Sequence, residues 1–155
     1  MTAGNSSPLN DGGTALLLAS REYAGEHGVT PNAHIRSMAV AAVPPRITGI
    51  GPVPAGRKAL ERDGLTVADM GLNELNEAFA AQTLAALQEW GTGPEAPWAN
   101  VNGGAIASGH RVGCSGSRLQ RTLVHEMARR KAQFGLATMC LVVGQGIAMV
   151  VELTD

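Results

Sequence analysis

A chain of 155 residues with 45% hydrophobic content is long and apolar enough to bury one core of its own, which excludes intrinsic disorder. A formal net charge of −1 and 3% aromatic content exclude the basic, base-stacking surface of a nucleic-acid binder, and no apolar run approaches the roughly 20 residues that span a bilayer. Two cysteines, Cys114 and Cys140, make no disulfide framework, and no basic, then apolar, then cleavable leader opens the chain, so the expected compartment is the reducing cytoplasm, without a membrane partner.

Met1 to Gly13 is dense in turn formers and reads as a loop. Thr14 to Ala19 is the first apolar run, too short for periodicity to separate strand from helix, whereas Ser20 to His27, stopped by Gly28, reads as a short helix. Ala33 to Val43 is β-compatible and ends at Pro44-Pro45, which cannot continue a ladder. Pro54 and Gly64 bracket a helix with Ala59 and Leu60 on its buried face. Met70 to Leu75 predicts a short strand and Ala78 to Trp90 a helix, its Phe79, Thr83, Ala86 and Leu87 at helical spacing. Leu119, Leu123 and Met127 mark a further helix, and the cations Arg129-Arg130-Lys131 read as its solvated C-terminus, complementing the dipole, with no partner assigned. Leu136 to Val143 and Ile147 to Glu152 close the chain as strands joined through Gly144-Gln-Gly146. Strands alternating with helices, then a terminal strand pair, predict a layered α/β domain whose sheet is mostly parallel with one antiparallel member.

Three stretches carry chemistry-bearing residues. In the glycine-rich run from Asn100 to Gly116, glycines allow close approaches that a Cβ would block, and His110 is the side chain presented there, at the mouth of a helix whose first turn is expected at Gly113 to Gly116. On residues alone, His110 also has a plain structural reading. Cys140 lies at a strand end before two glycines, where a thiol can meet a substrate, but a small apolar thiol in Ala137-Thr-Met-Cys-Leu-Val-Val reads equally as core. Asn76, in Asn-Glu-Ala-Phe79, joins a strand to a helix and has an ordinary reading as a helix cap. The run around His110 fits neither the phosphate-binding P-loop nor the dinucleotide fingerprint, and His110, Cys114 and Cys140 match no familiar metal-ligand spacing, so no metal is expected.

Together, the run around His110, the Asn76-Glu-Ala-Phe79 motif and Met139-Cys-Leu-Val-Val-Gly-Gln-Gly146 closely resemble the C-terminal half of a thiolase, and the resemblance covers nearly the whole chain. It implies a thiolase-like layered α/β/α fold with a mixed, mostly parallel sheet, residues 1–28 being the tail of the N-terminal domain and 29–155 the C-terminal domain. The implied reaction is acyl transfer between acyl-CoA and coenzyme A, by thiolysis of a 3-ketoacyl-CoA or the reverse Claisen condensation. Acyl-CoA and coenzyme A would be substrates, with no tightly bound cofactor. In such a scheme Cys140 is the acid/base at the α-carbon. His110 draws the proton from a nucleophilic cysteine that lies in the other half, and Asn76 positions a water that forms an oxyanion hole with His110. Ser7 and Phe79 are the implied coenzyme A contacts; Cys114 is implied to be packing.

The resemblance implies two partners besides substrate, a complementary N-terminal half and further copies of the chain. It also exposes two departures. Arg111 stands where thiolases usually carry proline after the histidine, and a cation there is expected to lower the His110 pKa. Val142-Val143 stand where the family has a glycine run whose backbone N–H serves a second oxyanion hole, and valine strongly disfavours positive φ. These departures, with the absent nucleophile, support a second reading, a catalytically inactive remnant that acts as a scaffold or dimerisation module.

Overall fold

The computed structural model describes residues 1–154. Helix α1 (Arg21–Glu26) starts where the Ser20 hydroxyl accepts the Tyr23 N–H at 3.1 Å and ends before Gly28, which takes a φ of 63°. Strand β1 (Ala33–Ala42) stops ahead of Pro44-Pro45, as the missing N–H groups require. Helix α2 (Pro52–Arg62) opens on Pro52, two residues before the proline read from sequence. Strand β2 (Leu72–Leu75), helix α3 (Ala80–Glu89) and the single turn α4 (Ala105–Ser108), which periodicity had not shown, lead to the long helix α5 (Ser115–Arg130). Strands β3 (Phe134–Leu141) and β4 (Gln145–Leu153) finish the chain. The apolar run from Thr14 to Ala19 forms neither strand nor helix, and Leu17 is left 91% exposed.

The four strands form one mixed sheet in the order β1-β4-β3-β2. Only β2 and β3 run parallel; β4 is antiparallel to both β3 and β1. The expectation of a mostly parallel sheet is thus corrected. The turn from Leu141 to Gln145 is too short to cross the sheet, so β4 must reverse beside β3, and β1 then pairs with the reversed strand. The β2–β3 connection contains helices and can cross over, which permits the parallel pair.

Alternation along the strands separates two cores, and this makes the α/β/α layering. Leu136 and Val150 face α2, where they meet Val53, Leu60, Leu75 and Trp90. Ala137 and Val151 face the other way, against Leu119, Leu123 and Met127 of α5. The i, i+4, i+8 spacing puts those three side chains on one stripe, and each contributes about 2 kcal/mol by leaving water. The start of α2 also touches the start of β4 backbone to backbone. A Cβ on Gly146 would collide with the carbonyl of Gly51, and one on Gly51 would lie 2.5 Å from the Gln145 oxygen. Glycine at both positions is what lets these elements meet.

β1 is an outer strand, but its edge is blunted. The Arg62 guanidinium donates to the Met38 carbonyl and Lys58 Nζ donates to the Val40 carbonyl at 3.3 Å, so α2 supplies cations to groups that would otherwise pair with another strand. The α5 side of the sheet is less covered: Leu16, Leu18, Met38, Ile147 and Met149 line an apolar depression there. Among the described residues, no helix is long and apolar enough to cross a membrane.

Candidate active site

Asn76 follows the last residue of β2, and Cys140 lies one residue before the end of β3, so the parallel pair brings both to the C-terminal ends of neighbouring strands. The crevice outside such strand ends is the usual ligand site of α/β sheets. The Asn76 N–H donates to the Thr138 carbonyl at 3.0 Å, which ties it to the Cys140 strand. The N-terminal segment then links this edge to the histidine loop. The Ser7 N–H donates to the Ala78 carbonyl at 3.0 Å, the Ser7 hydroxyl donates to the same oxygen at 3.3 Å, and Ser6 bridges Phe79. One residue on, the Pro8 carbonyl accepts the His110 N–H at 2.9 Å. Segment 6–9, read as plain loop, is therefore the strap that joins Asn76, Ser7, Phe79 and His110 around one end of the sheet.

Asn76 is not a helix cap, because Phe79 occupies the N-cap position of α3. Asn76 is 0% exposed, and among the described residues neither its amide oxygen nor its nitrogen has a hydrogen-bond partner. A buried amide left unbonded costs about 1–3 kcal/mol, a condition the buried amides of Asn73 and Gln82 share.

His110 is half-buried after Gly109, whose φ of 92° swings the chain from α4 toward α5. Its Nδ1 lies 2.7 Å from the Ser115 hydroxyl. The helix begins at Ser115 with Cys114 as N-cap, inside the expected first turn. Burial is the first cause that holds the His110 pKa below its ordinary value, and the second is Arg118. The expectation that Arg111 supplies this effect is corrected. The Arg111 guanidinium turns to the carbonyls of Asp11 and Gly109, at 3.3 and 3.5 Å, and the cation acting on the imidazole is Arg118, in the first turn of α5.

Arg118 has a buried counterpart that sequence reading missed. Glu74, in β2, lies 3.8 Å from the guanidinium, and burial, aided by Glu77 and Glu126, pushes its carboxyl up to about 7 against the pull of Arg118. A charged residue inside a short apolar strand was the available signal. Glu77 and Asn100 were missed as well. Asn100 exchanges hydrogen bonds with the Leu75 backbone at 2.8 and 2.9 Å and donates to Glu77 at 2.9 Å, while Glu77 also accepts the Ile106 N–H at 3.3 Å. Together they clamp the end of β2 to α4. Beside the His110 loop lies a polar cavity of about 390 Å³, lined by Thr14, Ser108, Arg111, Cys114, Arg118 and Arg121. Among the described residues, no cluster of His, Cys, Asp or Glu is placed to hold a metal ion.

Cys140 is a free, half-buried thiol, and burial pushes its pKa up. The turn after it contains the two valines. Val143 does adopt a positive φ, 58°, while remaining 70% exposed, so the backbone keeps a glycine-type conformation under a β-branched side chain that no packing repays. Such strain costs about 1–3 kcal/mol. Val143→Gly is therefore expected to stabilise the fold by about 1 kcal/mol after glycine's larger unfolded-state entropy is set against it, as a higher denaturant midpoint at unchanged slope. A lower midpoint would show that the turn is unstrained.

The family model for the thiolase C-terminal domain matches residues 29–153. The chain is 55% identical over 152 residues to the 3-oxoadipyl-CoA/3-oxo-5,6-dehydrosuberyl-CoA thiolase of Escherichia coli (strain K12), covering 98% of this chain and 38% of that protein. It is 56% identical over 153 residues to a 3-ketoacyl-CoA thiolase of Yersinia pestis, covering 98% and 40%. The crystal structure of human mitochondrial 3-ketoacyl-CoA thiolase in complex with CoA superposes with a TM-score of 0.96 at 45% identity, over 99% of this chain and 39% of that one. The chain thus spans about two fifths of the length of the curated relatives it matches. With this sheet and these two helix layers, matched over residues 29–153, the chain belongs to the thiolase family and carries its C-terminal domain.

Proposed function

We propose that this chain is the C-terminal catalytic half of a thiolase and works with an N-terminal half that brings the nucleophilic cysteine. Residues 1–28 belong, in this reading, to the tail of that N-terminal domain. In thiolysis, His110 takes the proton of the nucleophile, whose sulfur attacks the keto carbonyl of a 3-ketoacyl-CoA. The bond between the α-carbon and that carbonyl breaks, and the departing acetyl-CoA enolate receives a proton at carbon from the Cys140 thiol. Coenzyme A then gives its thiol proton to the Cys140 thiolate and attacks the acyl group on the nucleophile, whose sulfur leaves and takes back the proton from His110. Asn76, through a water, and His110 donate to the enolate oxygen. Ser7 and Phe79 lie along the coenzyme A arm.

The observation that carries this reading is the convergence of Asn76, buried on the strand end beside Cys140, with His110, the Ser7-Pro8 strap bonding both the Ala78 carbonyl two residues after Asn76 and the His110 N–H. The pKa directions agree with the roles. An imidazole held low is neutral and can accept a proton, and a thiol held high stays protonated and can give one. In this reading the complementary half covers the apolar depression of Leu16, Leu18, Met38, Ile147 and Met149, so the partner surface is apolar there. Alone, the chain is expected to self-associate through the same apolar face.

The test is acetoacetyl-CoA thiolysis by the purified chain, alone and mixed with a separately produced N-terminal thiolase half. Activity in the mixture only is the expected result. Activity of the chain alone would make Cys114 or Cys140 the nucleophile and overturn the roles given. No activity in either, from folded protein, would favour the inactive scaffold, a reading for which the strained Val143 is the specific observation.

A further inference from the structure

Ser115 is fully buried at the first position of α5, and its hydroxyl has two neighbours, His110 Nδ1 at 2.7 Å and the Arg111 carbonyl at 2.9 Å. A hydroxyl carries one proton, and a carbonyl can only accept. The Ser115 proton therefore goes to Arg111, the four-residue back-bond common for serine in helices, and the oxygen is left to accept from the imidazole. Nδ1 must then bear the hydrogen. Nε2 has no hydrogen-bond partner among the described residues and keeps its lone pair.

The anchor of this relay is itself rigid. The Arg111 oxygen also accepts the N–H groups of Cys114 and Ser115, each at 2.8 Å, which fixes its position 2.9 Å from the Ser115 hydroxyl, a separation that two oxygens keep favourably only with a proton between them. The relay is also neutral. A carboxylate on Nδ1 would stabilise the imidazolium and raise its pKa, whereas a serine backed by a peptide carbonyl orients the ring without adding charge.

We infer that Ser115 is the positioning residue that fixes His110 as the Nδ1–H tautomer and so leaves Nε2 as the proton acceptor of the site. The use of Nε2 as a catalytic base rests on the thiolase reading above; the tautomer does not. No glycine or histidine motif announces this function of Ser115, because the five-residue separation closes only when Arg111 to Cys114 fold into the turn that precedes α5.

The experiment is a two-bond proton–nitrogen correlation spectrum of the ¹⁵N-histidine-labelled chain under alkaline conditions, where imidazole is neutral. The expected result is a protonated Nδ1 and an unprotonated Nε2 for His110 in the parent chain and in Ser115→Thr, with loss of that pattern in Ser115→Ala. An Nε2–H tautomer in the parent chain, or an unchanged pattern in Ser115→Ala, would overturn the inference. Should Ser115→Ala not fold, the parent spectrum alone still decides the tautomer. In the reconstituted enzyme, Ser115→Ala is expected to lower kcat about 10²-fold with recovery in Ser115→Thr. An inactive mixture whose parent chain still shows the Nδ1–H form would sink the thiolase roles and leave the tautomer standing.

Discussion

His110→Ala, in the chain mixed with an N-terminal thiolase half, is expected to lower kcat/KM for acetoacetyl-CoA thiolysis by at least about 10³-fold. The imidazole is asked to do two things: general base catalysis, worth about 10²–10⁴, and donation to an oxyanion, worth about 10²–10³. The losses do not simply multiply, because one residue carries both. Near-normal rates in this variant would remove His110 from the chemistry. The parent mixture should show an acid limb below 6.5, the ordinary imidazole value, because burial and Arg118 both disfavour imidazolium and a lower pH is needed to protonate it. Its alkaline limb should lie above 9.0, because burial disfavours the Cys140 thiolate. Cys140→Ala should abolish that alkaline limb together with most of the rate; an alkaline limb that persists unchanged would assign it to another group.

Gly146→Ala is the substitution expected to damage the fold most for the fewest atoms added. Its methyl has no free direction, since the colliding atoms are the Gly51 carbonyl and the Pro52 nitrogen, backbone at the start of α2 rather than a mobile side chain. Relief requires α2 to move from β4, and α2 packs its buried face on β1 and β4 through Val53, Ala55, Ala59 and Leu60. A loss of about 3 kcal/mol is expected, at the upper end for overpacking, read as a lower denaturant midpoint. An unchanged midpoint would mean that the two elements do not meet as described.

Several elements and the residues of the candidate site were legible before the fold. Helix α5 follows from Leu119, Leu123 and Met127, and α1 from Ser20 and Gly28, because periodicity and capping act within a few residues. His110, Asn76 and Cys140 stood out as polar or reactive groups at strand–turn and turn–helix junctions, where glycine, asparagine and short apolar runs mark the places that sterics leave open. What could not be read were relations between distant residues. The strap function of Ser6 to Leu9 depends on partners at Ala78 and His110, far along the chain, and no local pattern encodes them.

The amino-acid sequence by itself determined the longer helices to within a few residues, the strand end at Pro44-Pro45, and which side chains could do chemistry, since each depends on backbone sterics and neighbours a turn away. Only the tertiary structure decided the direction of β4, the pairing of His110 with Ser115, and Arg118 rather than Arg111 as the cation acting on the imidazole. Hydrogen-bond and Coulomb energies depend on separation in space, and folding, not position along the chain, sets that separation.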